Sequence, residues 1–227
     1  MDMRKQRLGA EYPDTLSSME NTAATYRNQG RWNEAEQLQI QVMDLRKKLL
    51  GAEHPDTLSS MANLAATYCN QGRWNEAEQL EVQVMDMRKQ QLGAEHPDTL
   101  LSMENLAATY RNQERWNEAE WLQIQVMDMT TKLLGAEHSN TLSSMAHLAA
   151  TYRNQGRWNE AEQLEVQVMD MQKQQLGAEH PDTLSSMENP TYMNQRKWYE
   201  AEQLDAQVMD MRKQQLGAEY PDTLSTQ

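Results

Sequence analysis

The sequence predicts an all-α protein built as an α-solenoid, a stack of antiparallel helix pairs with no single central core. Leu-Gly-Ala-Glu recurs at Leu8, Leu50, Leu92, Leu134 and Leu176 at intervals of 42 residues, and again at Leu216 after 40. A fixed period of this size marks a repeat array. Each period holds two segments whose apolar residues fall at helical spacing. A glycine follows most of these segments, where a left-handed residue closes a helix.

The periods divide the chain into five copies, 8–49, 50–91, 92–133, 134–175 and 176–215, with the end of a preceding unit at 1–7 and the start of another at 216–227. Met1-Asp2-Met3-Arg4-Lys5-Gln6 repeats Met85 to Gln90, so the chain reads as a fragment of a longer array. In the second copy Pro55 and Asp56 open a helix with Met61, Leu64, Ala65 and Tyr68 on one stripe, ended by Asn70-Gln71-Gly72. A second helix follows, with Trp74, Ala77, Leu80, Val84 and Met87 as its stripe and Leu92-Gly93 as its close. Neither helix hides its stripe alone, so stability has to come from stacking on neighbouring units.

These residues carry a family resemblance. Met61-x2-Leu64-Ala65-x2-Tyr68, with Gly72, Trp74 and Ala77 after it, resembles the tetratricopeptide repeat pattern, and the His54-Pro55-Asp56-Thr57-Leu58 opening is similar to its kinesin light chain subtype. Leu64-Ala65-Ala66-Thr67-Tyr68 and Gln71 to Ala77 also look like the arrays of fungal receptor-like proteins that follow a nucleotide-binding NACHT or NB-ARC domain. The resemblance covers Leu8 to Gln215. It implies a right-handed superhelix, no enzymatic activity, and a scaffold or sensor that binds a protein or peptide in its concave groove. A cargo-binding adaptor like the light chain is the alternative it leaves, and a fragment without independent function is another. Glu81 departs from the pattern, which expects an apolar residue there, and Gln39, Gln123, Glu165 and Asp205 share the departure; looser helix packing is expected at this column.

Composition narrows the function classes. The net charge is -13, which argues against nucleic acid or an anionic membrane as partner, since both require clustered Lys and Arg. Cys69 is the single cysteine, so no intrachain disulfide can form. No stretch is apolar enough for a signal peptide or a membrane span, and the expected location is cytoplasmic. Sixteen of the 17 Met fall in three columns of the repeat, so copying rather than a metal site explains them.

The copies differ in informative ways. The second and fourth differ only at Pro55/Ser139, Asp56/Asn140, Asn63/His147, Cys69/Arg153 and Arg88/Gln172, which points to duplication of 84-residue pairs. The third carries Glu114 where the first, second and fourth have Gly30, Gly72 and Gly156, and Trp121 in place of a surface glutamine, an expected exposed aromatic. The fifth lacks two residues and places Pro190 inside its first helix. The deletion rotates the later stripe by about 200°, and a break or kink near Pro190 is expected.

Little in the sequence carries catalysis, and no cofactor or metal is expected. His54, His96, His138 and His180 are one loop residue in successive units, separated by roughly 16 to 20 Å from two interaxial steps, far beyond the roughly 2 Å reach of a zinc ligand. Their expected role is structural, near the helix start. Cys69 stands where other copies have Arg27, Arg111 and Arg153 and is read as a drifted arginine. Glu76, Glu78 and Asp86 are read as a solvated acidic face of the second helix.

The remaining candidate is a surface. On the first helix Ser59, Ala62, Asn63, Ala66, Cys69 and Asn70 lie away from the apolar stripe. Asn21 with Asn28, Asn63 with Asn70, Asn105 with Asn112, and His147 with Asn154 then form a ladder, joined by Arg27, Arg111 and Arg153. Asn pairs with backbone amides and Arg with carboxylates, so the expected ligand is an extended, acidic protein segment. Pairing of Arg27 and its equivalents with Glu20 and Glu104 is the competing expectation.

Overall fold

The structure is a computed structural model that describes residues 13–187 and, beyond them, Val208. The chain forms two compact units, 1–115 and 116–227. The first holds α1 (Pro13–Asn28), α2 (Trp32–Leu50), α3 (Pro55–Asn70), α4 (Trp74–Leu92) and α5 (Pro97–Asn112). The second holds α6 (Trp116–Leu134), α7 (Ser139–Asn154), α8 (Trp158–Leu176) and α9 (Pro181–Met187). No strand occurs among the described residues. In each unit every helix packs on the helices before and after it in the chain, and the short connections fold neighbours back as helical hairpins.

Histidine caps the starts of α3, α5 and α7. The Nδ1 atoms of His54, His96 and His138 accept the backbone N–H of Asp56, Asp98 and Asn140, each at 3.1 Å, satisfying a donor that a helix N-terminus leaves unpaired. α7 begins at the same register with Ser139 in place of proline, and α1 begins there at Pro13 with Tyr12 in place of histidine, so neither residue alone is required for the start.

The first-helix ends are set by backbone handedness. Gly30, Gly72 and Gly156 take φ of 73°, 74° and 77°, and Glu114 in the same position takes 60°. A Cβ added at any of these three glycines would meet nothing within 4 Å, so the requirement is on φ alone. Glu114→Gly is therefore expected to stabilise the chain by about 1 kcal/mol, read as an increase in the urea midpoint; an unchanged or lower midpoint would show that Glu114 bears no strain.

Packing follows the stripes, with Met61, Leu64 and Ala65 of α3 and Ala77 and Val84 of α4 buried. Tyr68 is only half-buried, and its ring instead carries the Arg73 guanidinium 4.2 Å from its centroid. The same stack joins Arg31 to Tyr26, Arg115 to Tyr110 and Arg157 to Tyr152.

At Gln39 and Gln123 the column of Glu81 departs from the expectation of looser packing, while Asp205 lies outside the described residues. Gln39 is 5% exposed; its Nε2 donates to the Asn63 carbonyl at 3.2 Å, and its Oε1 accepts the Thr67 hydroxyl at 2.6 Å. Thr151 donates to Gln123 in the same way, also at 2.6 Å. Here a polar side chain bridges to the next first helix, and the buried threonine column supplies its partner.

The expected solvated acidic face is also only partly right. Glu76 is exposed and pairs with Arg73 of its own turn at 2.9 Å. Glu78 instead accepts Arg115 at 2.8 Å and Gln113 at 2.9 Å from the following copy. Glu36 receives Arg73 and Gln71 at 2.8 Å each, and Glu120 receives Arg157 at 2.7 Å and Gln155 at 2.8 Å. A carboxylate clamped by two donors from the next turn is a staple between units, with the geometry of a charge-assisted hydrogen bond. The expected break at Pro190 lies outside the described residues.

Candidate ligand-binding face

The polar face is displayed by the first helices, whose apolar residues turn toward the second helices. In the first unit it spans α1, α3 and α5. Asn21, Asn28, Asn70, Asn105 and Asn112 are exposed, and Arg27, Asn63 and Arg111 are half-buried. Ala24, Ala66 and Ala108, between the amides, are half-buried and small. In the second unit α7 carries exposed His147 and Asn154 with half-buried Arg153.

The arginines of this face are not equivalent. Arg153 is directed at Glu165 of α8, with Nη1 3.0 Å from Oε1 and the carboxylate 6% exposed, so it serves helix packing as well as the face. Arg111 is held against the protein, and burial pulls its guanidinium pKa down. Its Nε is buried without a hydrogen-bond partner. At the position of these arginines in the second copy, the Cys69 thiol lies 3.4 Å from the Thr109 hydroxyl. Burial pushes the thiol pKa up, the reverse of what a nucleophilic cysteine needs.

The competing expectation for the arginines finds a different partner for Glu20. Its carboxylate takes Arg46 of α2, with Nη2 2.8 Å from Oε2, and Arg46 Nη1 also donates to Ser60 Oγ at 2.8 Å and the Asp56 carbonyl at 3.0 Å. Glu20 is thereby neutralised within the helix packing. Glu104 stands where Glu20 stands, but the third copy has Thr130 where the first has Arg46. Glu104 is half-buried, and burial raises its pKa. It lies two turns before Arg111 on α5, so the face carries one acid beside its arginine.

The sequence reading missed Arg46 and the unit-to-unit staples. The signal for the staples was present: Glu36 and Arg73, Glu78 and Arg115, and Glu120 and Arg157 are each 37 apart. A carboxylate and an arginine held at that spacing, five short of the period, mark a bridge from one unit to the next. Reading each copy in isolation hides it.

Among the described residues no group of three or more His, Cys, Asp and Glu is placed to hold a metal ion. No helix among them is long and apolar enough to cross a membrane.

Comparison with known proteins agrees with this architecture. The family model described as tetratricopeptide repeat matches residues 14–90, 63–120 and 98–174, and a second model of that description matches 191–222. The chain is similar to a solved Podosopora anserina kinesin light chain protein with nearly identical TPR-like repeats. The identity is 34%, the TM-score 0.82, and the match covers 91% of this chain and 99% of that one. A variant of the same protein gives 34% identity and a TM-score of 0.82 over 89% of this chain and 97% of that one. BtubC (BKLC) from P. vanneervenii shares the fold at 16% identity, with a TM-score of 0.78, over 96% of this chain and 89% of that one. No curated protein sequence matches the chain.

Proposed function

Because the chain belongs to the tetratricopeptide repeat family, a protein-interaction scaffold fold, we infer that it binds an extended protein segment along the polar face of its first helices. One observation carries this reading: on each of α2, α4 and α6 one carboxylate, Glu36, Glu78 or Glu120, is taken up in a staple between units, whereas α1, α3 and α5 keep a row of exposed amides beside half-buried Arg111. Asn21, Arg27, Asn28, Asn63, Asn70, Asn105, Arg111 and Asn112 contact the segment in the first unit, and His147, Arg153 and Asn154 do so in the second. Each 42-residue copy is one unit of the scaffold. The ligand is acidic, because the arginines lie within a protein of net charge -13 that repels an acidic segment everywhere else. No catalytic step is assigned to any residue.

The near-identity of the copies favours an array whose face is kept uniform, as in the sensor arm of a fungal receptor-like protein carrying a nucleotide-binding domain. The similarity to the Podosopora anserina protein supports a second reading, a kinesin light chain-like adaptor. Sequencing the surrounding reading frame separates them: a phosphate-binding loop of the form Gly-x4-Gly-Lys-Ser/Thr marks the receptor, and long heptads mark the adaptor.

Selection of a random peptide library on the full chain tests the face itself. Acidic segments are expected to be enriched. Combined Arg111→Ala and Asn112→Ala substitution should weaken them about tenfold or more, the worth of a lost charge-assisted hydrogen bond, with unchanged helical content by circular dichroism. Enrichment of basic peptides, or undiminished affinity in the variant, would overturn the assignment.

A further inference from the structure

Glu81 is one copy removed from Gln39 and occupies the same place in the repeat, as Thr109 does for Thr67 and Asn105 for Asn63. At the first of these interfaces the amide satisfies both neighbours: its oxygen accepts from the threonine hydroxyl at 2.6 Å, and its nitrogen donates to the asparagine carbonyl at 3.2 Å. A carboxylate cannot repeat this, because it has two acceptors and no donor. The structure records the mismatch. Glu81 is 7% exposed, and its Oε2 is buried with no hydrogen-bond partner. A carboxylic acid, unlike a carboxylate, matches the amide group for group.

The fourth copy shows the other solution. Glu165 occupies the same column and meets the Arg153 guanidinium at 3.0 Å. In the second copy that arginine is replaced by Cys69, whose Sγ lies 3.9 Å from Glu81 Oε1, so a weak neutral donor stands where a cation stood.

We propose that the bridge from α4 to α5 is a proton-operated joint: Glu81 holds a proton at Oε2 and donates it to the Asn105 carbonyl, and loss of that proton weakens the contact. The groups facing Glu81 can be named from each packed helix. From α3 it meets Cys69, and from α5 the Thr109 hydroxyl; Glu78 of its own helix adds negative charge. Arg111, two residues beyond Thr109, responds to burial and to no neighbouring carboxylate. Burial, the largest influence, pushes the Glu81 carboxyl up to about 7, against smaller opposing pulls from Thr109 and Cys69. An unfolded glutamate titrates near about 4.3. The folded value is the raised one, so the stability this group contributes is fully present below the unfolded value and is lost as pH rises through the folded one.

The test compares thermal unfolding of the full chain with that of Glu81→Gln from pH 5 to pH 8.5. Gln39 and Gln123 show that the column accepts glutamine. The wild-type midpoint should lie close to the variant's at the acid end, fall behind it as pH rises toward about 7, and keep a constant gap above that. Cys69→Arg, which recreates the Arg153–Glu165 pair, should remove most of this pH dependence. Independently of unfolding, the infrared difference between wild type and Glu81→Gln at pH 6 should contain a carboxylic-acid stretch that disappears by pH 8.5. A midpoint gap that does not change with pH, or a pH 6 difference spectrum containing only carboxylate bands, would overturn the proposal.

Discussion

Leu58→Ala is expected to lower unfolding stability by about 2–5 kcal/mol, the cost of emptying a leucine-sized space in a close-packed core. Leu58 is 1% exposed and clusters with Met61 and Val84, and Met43, Leu80 and Met87 pack against the cluster. These side chains come from α2, α3 and α4, so the cavity opens where a helix pair meets the helix before it. In a stacked array each interface contributes separately to stability. The loss should therefore appear as a lower midpoint together with a broader or divided transition. Ile→Val-sized losses of about 1 kcal/mol, with an undivided transition, would show that neighbouring methionines refill the space. Methionine is flexible enough for some of that, which is why the range is wide. Denaturant unfolding followed by circular dichroism, with hydrogen exchange of α3 as a local reading, distinguishes the outcomes.

The apolar stripes that build this cluster were legible in the sequence because helical periodicity is imposed on every residue of an amphipathic helix. Met61, Leu64, Ala65, Ala77 and Val84 fell on the predicted stripes and are buried. The glycine closures were equally plain, including the left-handed geometry at Glu114, since backbone handedness is a local property. Polar burial was not legible. Thr67, Gln39 and Glu81 look like surface residues in a composition sense, and their burial depends on a partner one unit away in the sequence. Glu78 was misread for the same reason: its position on α4 is polar, but its partners Gln113 and Arg115 belong to the next copy. The polar face of the first helices was legible as a face. The distinction between Arg153, drawn onto Glu165, and Arg111, with a donor unfilled, required the geometry.

Removing Arg46 is expected to cost about 3 kcal/mol, the second large effect, because it leaves a half-buried carboxylate and two acceptors without their cation. The arginine side chain is 10% exposed and that of Glu20 is 23% exposed, so water can replace only part of what is lost. Three helices meet at this guanidinium: Glu20 belongs to α1, Arg46 to α2, and Ser60 and the Asp56 carbonyl to α3. Glu20→Ala should cost less than Arg46→Ala, because Arg46 keeps Ser60 and the Asp56 carbonyl as acceptors when its carboxylate is gone. The second copy already contains that arrangement. Arg88 donates to Ser102 at 2.8 Å and to the Asp98 carbonyl at 3.2 Å, while Ala62 stands in place of the acid. A double-mutant cycle of Arg46→Ala and Glu20→Ala, measured by urea unfolding, should give a coupling above about 1 kcal/mol. Additive losses would mean that the arginine acts through Ser60 and the Asp56 carbonyl alone, and the carboxylate would then be an optional part of the joint, as its replacement by alanine in the second copy permits.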